Sequence, residues 1–254
     1  MIKEARLNDA QIRIFENKAE LINAAAAYFK RRADNEIQRN GIFKVALSGG
    51  STPRPMYELL SRQPYAWEVG WRKTEFFWGD ERMVPPDDAH SNYGMAWQLW
   101  LRHLGIDGRQ IHRIKGELPL EDAIETYRSD LRWLADPGLA WPRFGLVLLG
   151  LGVDGHTASL VPGPISKRER EAPVIGTLMG ESQTSHPRVT LTPLVINCAA
   201  RVLFLVSGAE KCEAVRGTLQ GEADPERWPA QRIRPGTGEL LWYLDEAAAS
   251  SLEL

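Results

Sequence analysis

The sequence predicts an α/β protein with a mostly parallel sheet covered by helices, and three observations carry that prediction. Short apolar segments alternate with amphipathic helical ones over most of the 254 residues. The order strand, loop, helix repeats along the chain. FGLVLLG is continuously apolar, as strands buried on both faces are, and RVLFLVS reads as another buried strand.

QIRIF is the first expected strand. Asn17 with Glu20 three residues on resembles a capping box, and Ala19, Ile22, Ala26 and Phe29 recur at helical spacing, so a helix is expected over residues 18–32. Gly41 introduces the strand IFKVAL, and TEFFW is the next strand. Ser91 is placed to cap the helix NYGMAWQLWLRHL, with Gly105 where a helix end favours a left-handed residue. RQIHRI is a weaker strand candidate. Ile124, Tyr127, Leu131 and Leu134 mark another helix, ended by Asp136-Pro137-Gly138, before the strand FGLVLLG. APVIGTLM and RVTL, separated by GESQTSHP, read as two strands of a hairpin-like excursion. RVLFLVS is a buried strand, GAEKCEAVRGTL is helical, GEADPERWPAQRIRPGTG is rich in turn residues, and ELLWYLDEAAA closes the chain as a strand with a short tail.

Composition narrows the function. One domain over residues 1–254 is the expectation for this length and a hydrophobic content of 43%. A net charge of −2 gives no excess of Lys and Arg to neutralise a nucleic-acid backbone. The nine tryptophans are scattered rather than interleaved with basic residues, so they read as packing anchors and not as a nucleic-acid platform. Cys198 and Cys212 form no C-x-x-C pair and lack a His at ligand spacing. No metal or cofactor is expected. The N-terminus lacks an apolar signal core, and no run of eighteen apolar residues occurs, so neither export nor a membrane partner is expected and the cytoplasm is the default. A monomer or weak homo-oligomer is expected.

Three loops carry candidate chemistry. In VALSGGSTPRPMYELL, a strand gives way to Gly49 and Gly50, then Ser51, Thr52 and Pro53 at a helix start. Glycines let backbone N–H groups approach an anion, and the hydroxyls of Ser48, Ser51 and Thr52 add donors. A plain strand-to-helix turn explains the same residues, and neither a P-loop nor G-x-G-x-x-G is present. In FFWGDERMVPPDD, Asp80, Glu81 and Arg82 fall at a strand end, where open α/β sheets place ligands. Arg82 suits a phosphate and Asp80 a proton or sugar hydroxyls; a solvated surface turn is the alternative.

The third loop, GLGVDGHTASLVPG, sets Asp154 and His156 among Gly150, Gly152 and Gly155. Histidine is suited to exchange a proton near neutrality, and Asp154 can orient the imidazole. A loop histidine that merely bonds backbone is the competing reading. Arg188, opening RVTL, and Lys211, at the first turn of a helix and against its dipole, are further cationic candidates. His90, His103, His112 and His186 lack paired metal spacing and read as surface or core residues.

At these loops the sequence resembles the 6-phosphogluconolactonase family, within the wider glucosamine-6-phosphate isomerase/deaminase superfamily. SGGSTP, WGDERMVP with SNYGM, GLGVDGHTASLVPG, RVTLTPLVINCAARVLFLVSGAEK, and PAQRIRP with LWYLDEAAA look like family segments in family order. DGHTASL together with VTLT and GAEK is the specific part. The resemblance implies a modified Rossmann-like sheet and hydrolysis of 6-phospho-D-glucono-1,5-lactone to 6-phosphogluconate in the oxidative pentose phosphate pathway. It further implies a small-molecule sugar-phosphate lactone as partner and a phosphate cradle drawn from Gly49, Gly50, Ser51, Thr52, Arg82, Arg188 and Lys211. His156 is expected as the general base, Asp154 as its partner, and Asp80 at the sugar hydroxyls.

The related deaminases carry D-G-H-I-A-F-N-E-P, whose Glu assists ring opening. Val161 takes that place here, a departure that favours lactone hydrolysis over deamination. The segment GPISKRERE is less typical and bears on substrate access. A non-catalytic sugar-phosphate sensor is the alternative from another class; against it, no DNA-binding helix pair is evident, and Asp154 and His156 are retained.

Overall fold

A computed structural model describes residues 3–178 and 186–254. The chain enters through an antiparallel hairpin of β1 (Lys3–Leu7) and β2 (Ala10–Phe15), turning at Asn8 with φ 51°. β1 is not evident from sequence because Lys3, Glu4 and Arg6 read as solvated. As the outermost strand of its sheet it can carry charges, which also discourage edge pairing.

Asn17 caps α1 (Lys18–Asn40) by accepting the Glu20 N–H at 3.0 Å. The buried stripe begins at Leu21 rather than at Ala19, which is exposed. The helix outruns the expected 18–32 by two turns. Arg32 reaches Glu36 at 2.8 Å in a buried pair, and Asn40 holds the other carboxylate oxygen at 2.7 Å, so a stretch that reads as polar surface is internally satisfied. Gly41, at φ 76°, closes it.

β3 (Phe43–Leu47) follows, then α2 (Arg54–Leu60), α3 (Tyr65–Glu68), β4 (Thr74–Trp78) and β5 (Asp80–Arg82). Ser91 caps α4 (Asn92–Leu99) by accepting the Gly94 N–H. RQIHRI is not a strand: Ile111 makes an isolated bridge to Phe76, and His112 is a packing residue, stacked on Phe77 at 4.5 Å with its Nε2 2.7 Å from Glu75. α5 (Leu120–Trp133), β6 (Leu146–Leu149), α6 (Lys167–Glu171), β7 (Val174–Thr177), β8 (Arg188–Leu191), α7 (Pro193–Ile196), β9 (Arg201–Val206), α8 (Cys212–Leu219) and β10 (Glu239–Asp245) complete the order.

The main sheet has seven strands in the order β1-β2-β10-β9-β6-β3-β4, with every pair parallel except β1–β2. Helices flank it. β7 and β8 pair antiparallel, as the hairpin-like excursion requires, and most of the GESQTSHP stretch between them lies outside the described residues. β5 joins them in a three-stranded second sheet, β5-β8-β7, so Asp80–Arg82 is a short strand and not the loop expected.

Trp100 is fully buried, stacked on Tyr57 at 5.3 Å and met edge-on by Phe29, Trp71 and Phe76; losing a ring so packed typically costs about 3–5 kcal/mol. Trp67 and Trp133 depart from the packing role, being 78% and 84% exposed. Two buried tyrosines fasten strand ends. Tyr57 donates its hydroxyl to the Ser48 carbonyl at 2.7 Å and accepts the Ser48 N–H at 3.2 Å, while Tyr127 does the same at Trp78, at 2.6 and 3.0 Å. Each satisfies both backbone groups where the chain leaves the sheet. Among the described residues, no helix is long and apolar enough to cross a membrane.

Candidate active site

From β3 the chain moves outward to β4, then returns to β6 on the other side of β3 and continues to β9 and β10. The order therefore reverses between β3 and β6, and the crevice beyond the carboxyl ends at such a reversal is where open α/β sheets bind ligands. A cleft lies there. Gly49, Gly50, Ser51, Thr52, Asp80, Arg82, His156, Arg188 and Lys211 all line it, and Asp154 stands behind His156.

The β6 turn is built around one hydrogen bond. His156 Nδ1 lies 2.6 Å from Asp154 Oδ1, and the same oxygen accepts the His156 N–H at 3.2 Å. With Nδ1 so engaged, Nε2 is the ring nitrogen left for the cleft. The imidazole hydrogen bond lowers the Asp154 pKa to about 2, so this carboxylate is ionised at any physiological pH. Gly152 makes the pair sterically possible, since a Cβ there would fall 2.0 Å from His156 Nδ1 and 2.5 Å from Asp154 Oδ1. Thr157 donates to the Gly150 carbonyl at 2.8 Å, and the Gly152 N–H reaches the His156 carbonyl at 2.8 Å. These bonds close the turn on itself. Ala158, also lining the cleft, has φ 48°, a left-handed conformation unusual for a residue with a Cβ.

The three charges of GDER part company. Glu81 turns inward, 2% exposed, and accepts hydrogen bonds from the N–H groups of Arg82, Asn92 and Tyr93 and from the Ser91 hydroxyl, all at 2.8–3.0 Å. It anchors the start of α4, and burial pushes its pKa up against those bonds. Asp80 reaches the cleft through a buried network. Its Oδ2 accepts the Ser159 hydroxyl at 2.6 Å and lies 3.6 Å from Arg188 Nη1, while Asn92 donates to its carbonyl at 2.8 Å. Arg82 donates to the His90 carbonyl at 2.6 Å.

Arg82 and Arg188 are direct cross-strand partners in the β5–β8 pair, and the Nε of each is buried without a hydrogen-bond partner among the described residues. Burial first, then the Arg82 charge, lowers the Arg188 pKa. Two guanidiniums held in this way favour an anion that takes their free donors. Lys211 ends a short 3-10 turn, Ala209–Lys211, at the start of α8, and among the described residues no carboxylate pairs with it. The β3 turn supplies backbone. Gly50, at φ 95°, leads to α2, whose start has no side-chain cap. Ser51 and Thr52 make no cap bond there and line the cleft.

Several site residues escaped sequence reasoning. Asn92 lines the cleft and presses on Gly49 so closely that a Cβ there would lie 1.8 Å from its Oδ1; its place after the capping Ser91 hid it as a helix residue. Thr190 ties β8 to two other segments, accepting the Ser159 N–H at 3.2 Å and donating towards the Gly79 carbonyl at 3.3 Å. Asp245, at the end of β10, accepts the Ser207 hydroxyl and the Gly208 N–H, and so fixes the turn that leads to Lys211. Glu210 also lines the cleft. No group of three or more His, Cys, Asp or Glu among the described residues is arranged to hold a metal ion.

Fold and cleft together define an α/β protein in which the Asp154–His156 pair and the cations Arg82, Arg188 and Lys211 share one crevice. The chain belongs to the family of glucosamine-6-phosphate isomerases and 6-phosphogluconolactonases, whose model matches residues 16–242. It is 40% identical over 246 residues to the 6-phosphogluconolactonase of Synechocystis, covering 95% of this chain and 98% of the relative. It is 34% identical over 215 residues to that of Haemophilus influenzae, covering 85% and 90%. Among solved structures, 6-phosphogluconolactonase from Trypanosoma brucei superposes with a TM-score of 0.84 at 31% identity, covering 98% of this chain and all of that one.

Proposed function

We propose that residues 1–254 form a single phosphosugar-hydrolase domain that converts 6-phospho-D-glucono-1,5-lactone to 6-phospho-D-gluconate, the second step of the oxidative pentose phosphate pathway. One observation carries this reading: the imidazole held by Asp154 and the facing guanidiniums of Arg82 and Arg188 open into the same cleft. A phosphorylated lactone needs those two functions together, an anion handle and a proton carrier.

The lactone carbonyl is already electrophilic, so the enzyme has to hold the substrate, activate water and protonate the departing ring oxygen. His156 acts as general base, taking a proton through Nε2 from the water that attacks C1. It then returns that proton to the ring oxygen as the C1–O bond breaks. Asp154, ionised throughout, stabilises the intervening imidazolium and fixes the tautomer. Such a base typically contributes about 10²–10⁴-fold.

The phosphate, with roughly −1.5 to −2 charges at pH 7, lies far from C1, and its binding energy orients the reacting end. Gly49, Gly50, Ser51 and Thr52 with Arg82, Arg188 and Lys211 form its cradle. Asp80, braced by Ser159 and Asn92, serves the sugar hydroxyls. The reaction calls on no cofactor. In the cell, a cytoplasmic location and a monomer or weak homo-oligomer fit this role.

The test is a coupled assay with freshly generated lactone, subtracting spontaneous hydrolysis. Enzyme-dependent formation of 6-phosphogluconate is expected, with no ammonia released from glucosamine 6-phosphate, because Val161 stands where the deaminases carry their ring-opening Glu. Ammonia release without lactone hydrolysis would reverse the assignment.

A further inference from the structure

We infer that Trp228 is a positioning residue for His156, and that the segment around it braces the turn in which Asp154 and His156 lie; the inference rests on the role proposed for His156. Trp228 lines no part of the cleft and touches neither His156 nor Asp154 in any hydrogen bond. Its indole meets Gly155, the residue between them. A Cβ on Gly155 would lie 2.6 Å from Cε3 of the ring and 3.2 Å from the Trp228 Cα, so the absence of a side chain at 155, together with φ 81°, lets the ring seat directly on the backbone of the turn.

The other edge of the indole seats on a second glycine. A Cβ on Gly217 would lie 2.3 Å from Cε2 and 2.5 Å from Cζ2. Gly217 belongs to α8, the helix that starts immediately after Lys211. The ring is thus wedged between the backbone of the His156 turn and the helix that presents Lys211, with the Arg227 guanidinium 4.4 Å from its centroid.

Hydrogen bonds hold the brace to both. Ala230 N–H donates to the Gly155 carbonyl at 3.0 Å, and Gln231 Nε2 donates to the Gly217 carbonyl at 2.9 Å. Further along, Arg232, whose side chain is 4% exposed, grips the exit of the catalytic loop by donating to the Val161 and Gly163 carbonyls at 3.2 and 3.0 Å. It also pairs with both oxygens of Glu169 at 3.1 Å and with the Pro225 carbonyl at 2.8 Å. That clasp ties down the segment 163–171. The loop is therefore held at Gly155 and again beyond His156 by one stretch of chain, and a displacement of about 1 Å in reacting groups can cost on the order of 10²-fold in rate.

The experiment compares Trp228→Ala, Trp228→Phe and Gly217→Ala in the lactone assay, each also in a His156→Ala background. Trp228→Ala is expected to lower kcat about 10–100-fold with KM within about threefold, and Trp228→Phe to recover most of the loss. Gly217→Ala gains helix propensity but pushes the ring, so it should lower kcat while a thermal melt still shows a cooperatively folded protein at the assay temperature. In the His156→Ala background, none should lower the residual rate further, because the brace acts through that imidazole. Unchanged kcat in both Trp228→Ala and Gly217→Ala, or losses that add fully to that of His156→Ala, would overturn the inference. If His156→Ala itself turns over normally, the underlying role of His156 fails instead.

Discussion

Arg82 and Arg188 face each other directly across the β5–β8 pair, two cations where a sheet normally avoids like charges. Asp80 at 3.6 Å compensates only in part, and the arrangement is balanced when a dianion sits between them. Arg188→Ala is therefore expected to raise KM about 10–100-fold with a much smaller change in kcat. Thermal melts with added inorganic phosphate provide an independent check. Ligand at 100 times its Kd stabilises a protein by about 2.7 kcal/mol, and the shift seen in the wild type should be lost in Arg188→Ala.

Gly152 is required by space rather than by backbone conformation. A methyl group at that position would overlap both members of the His156–Asp154 pair. Gly152→Ala should lower kcat at least about 100-fold, by the logic of displaced reacting groups, while circular dichroism stays that of the wild type and melting falls no further than in Asp154→Asn. Near-normal turnover would mean that the pair need not keep its observed geometry.

Asp154 links activity to acid stability with a defined sign. Its folded pKa, about 2, lies below the ordinary 3.8 because the ionised form is bonded to His156. Its contribution to stability is thus fully present above about pH 4 and is lost as the pH falls towards 2. Urea titrations should show wild type more stable than Asp154→Asn at pH 5, with the difference shrinking below pH 4. At neutral pH the same variant should lose about 10²–10⁴-fold in kcat, because the amide cannot hold the imidazolium.

Glu81, central in the GDER motif, is expected to matter for stability more than for chemistry. Its carboxylate accepts four hydrogen bonds at the start of α4. Glu81→Gln turns one acceptor oxygen into a donor and strands buried N–H or O–H groups, at roughly 1–3 kcal/mol for each. Denaturant titration should show the loss, and the folded fraction should keep a kcat within a few-fold of wild type.

The buried parallel strands were legible because continuous apolar runs such as FGLVLLG have few other uses, and Asn17 and Ser91 announced their helices through the hydrogen bonds they make. β1 and β5 were not legible. Both are charged, and both earn strand geometry from pairing with distant segments, which local pattern does not record. The chemistry divides along the same line. Asp154 and His156 are two residues apart, so one turn displays them together, and the glycines around them signal a tight geometry. The Arg82–Arg188 opposition, the Asp80–Ser159 bond and the Trp228 wedge join residues from separate loops, and only the fold brings them together.

The most direct test of His156 as the general base is the initial rate of hydrolysis of freshly generated 6-phospho-D-glucono-1,5-lactone by wild type and by His156→Ala, each corrected for spontaneous hydrolysis. The variant is expected to fold, to bind substrate with a KM within a few-fold of wild type, and to lose at least about 100-fold in kcat. A folded His156→Ala protein with near-normal kcat would contradict it.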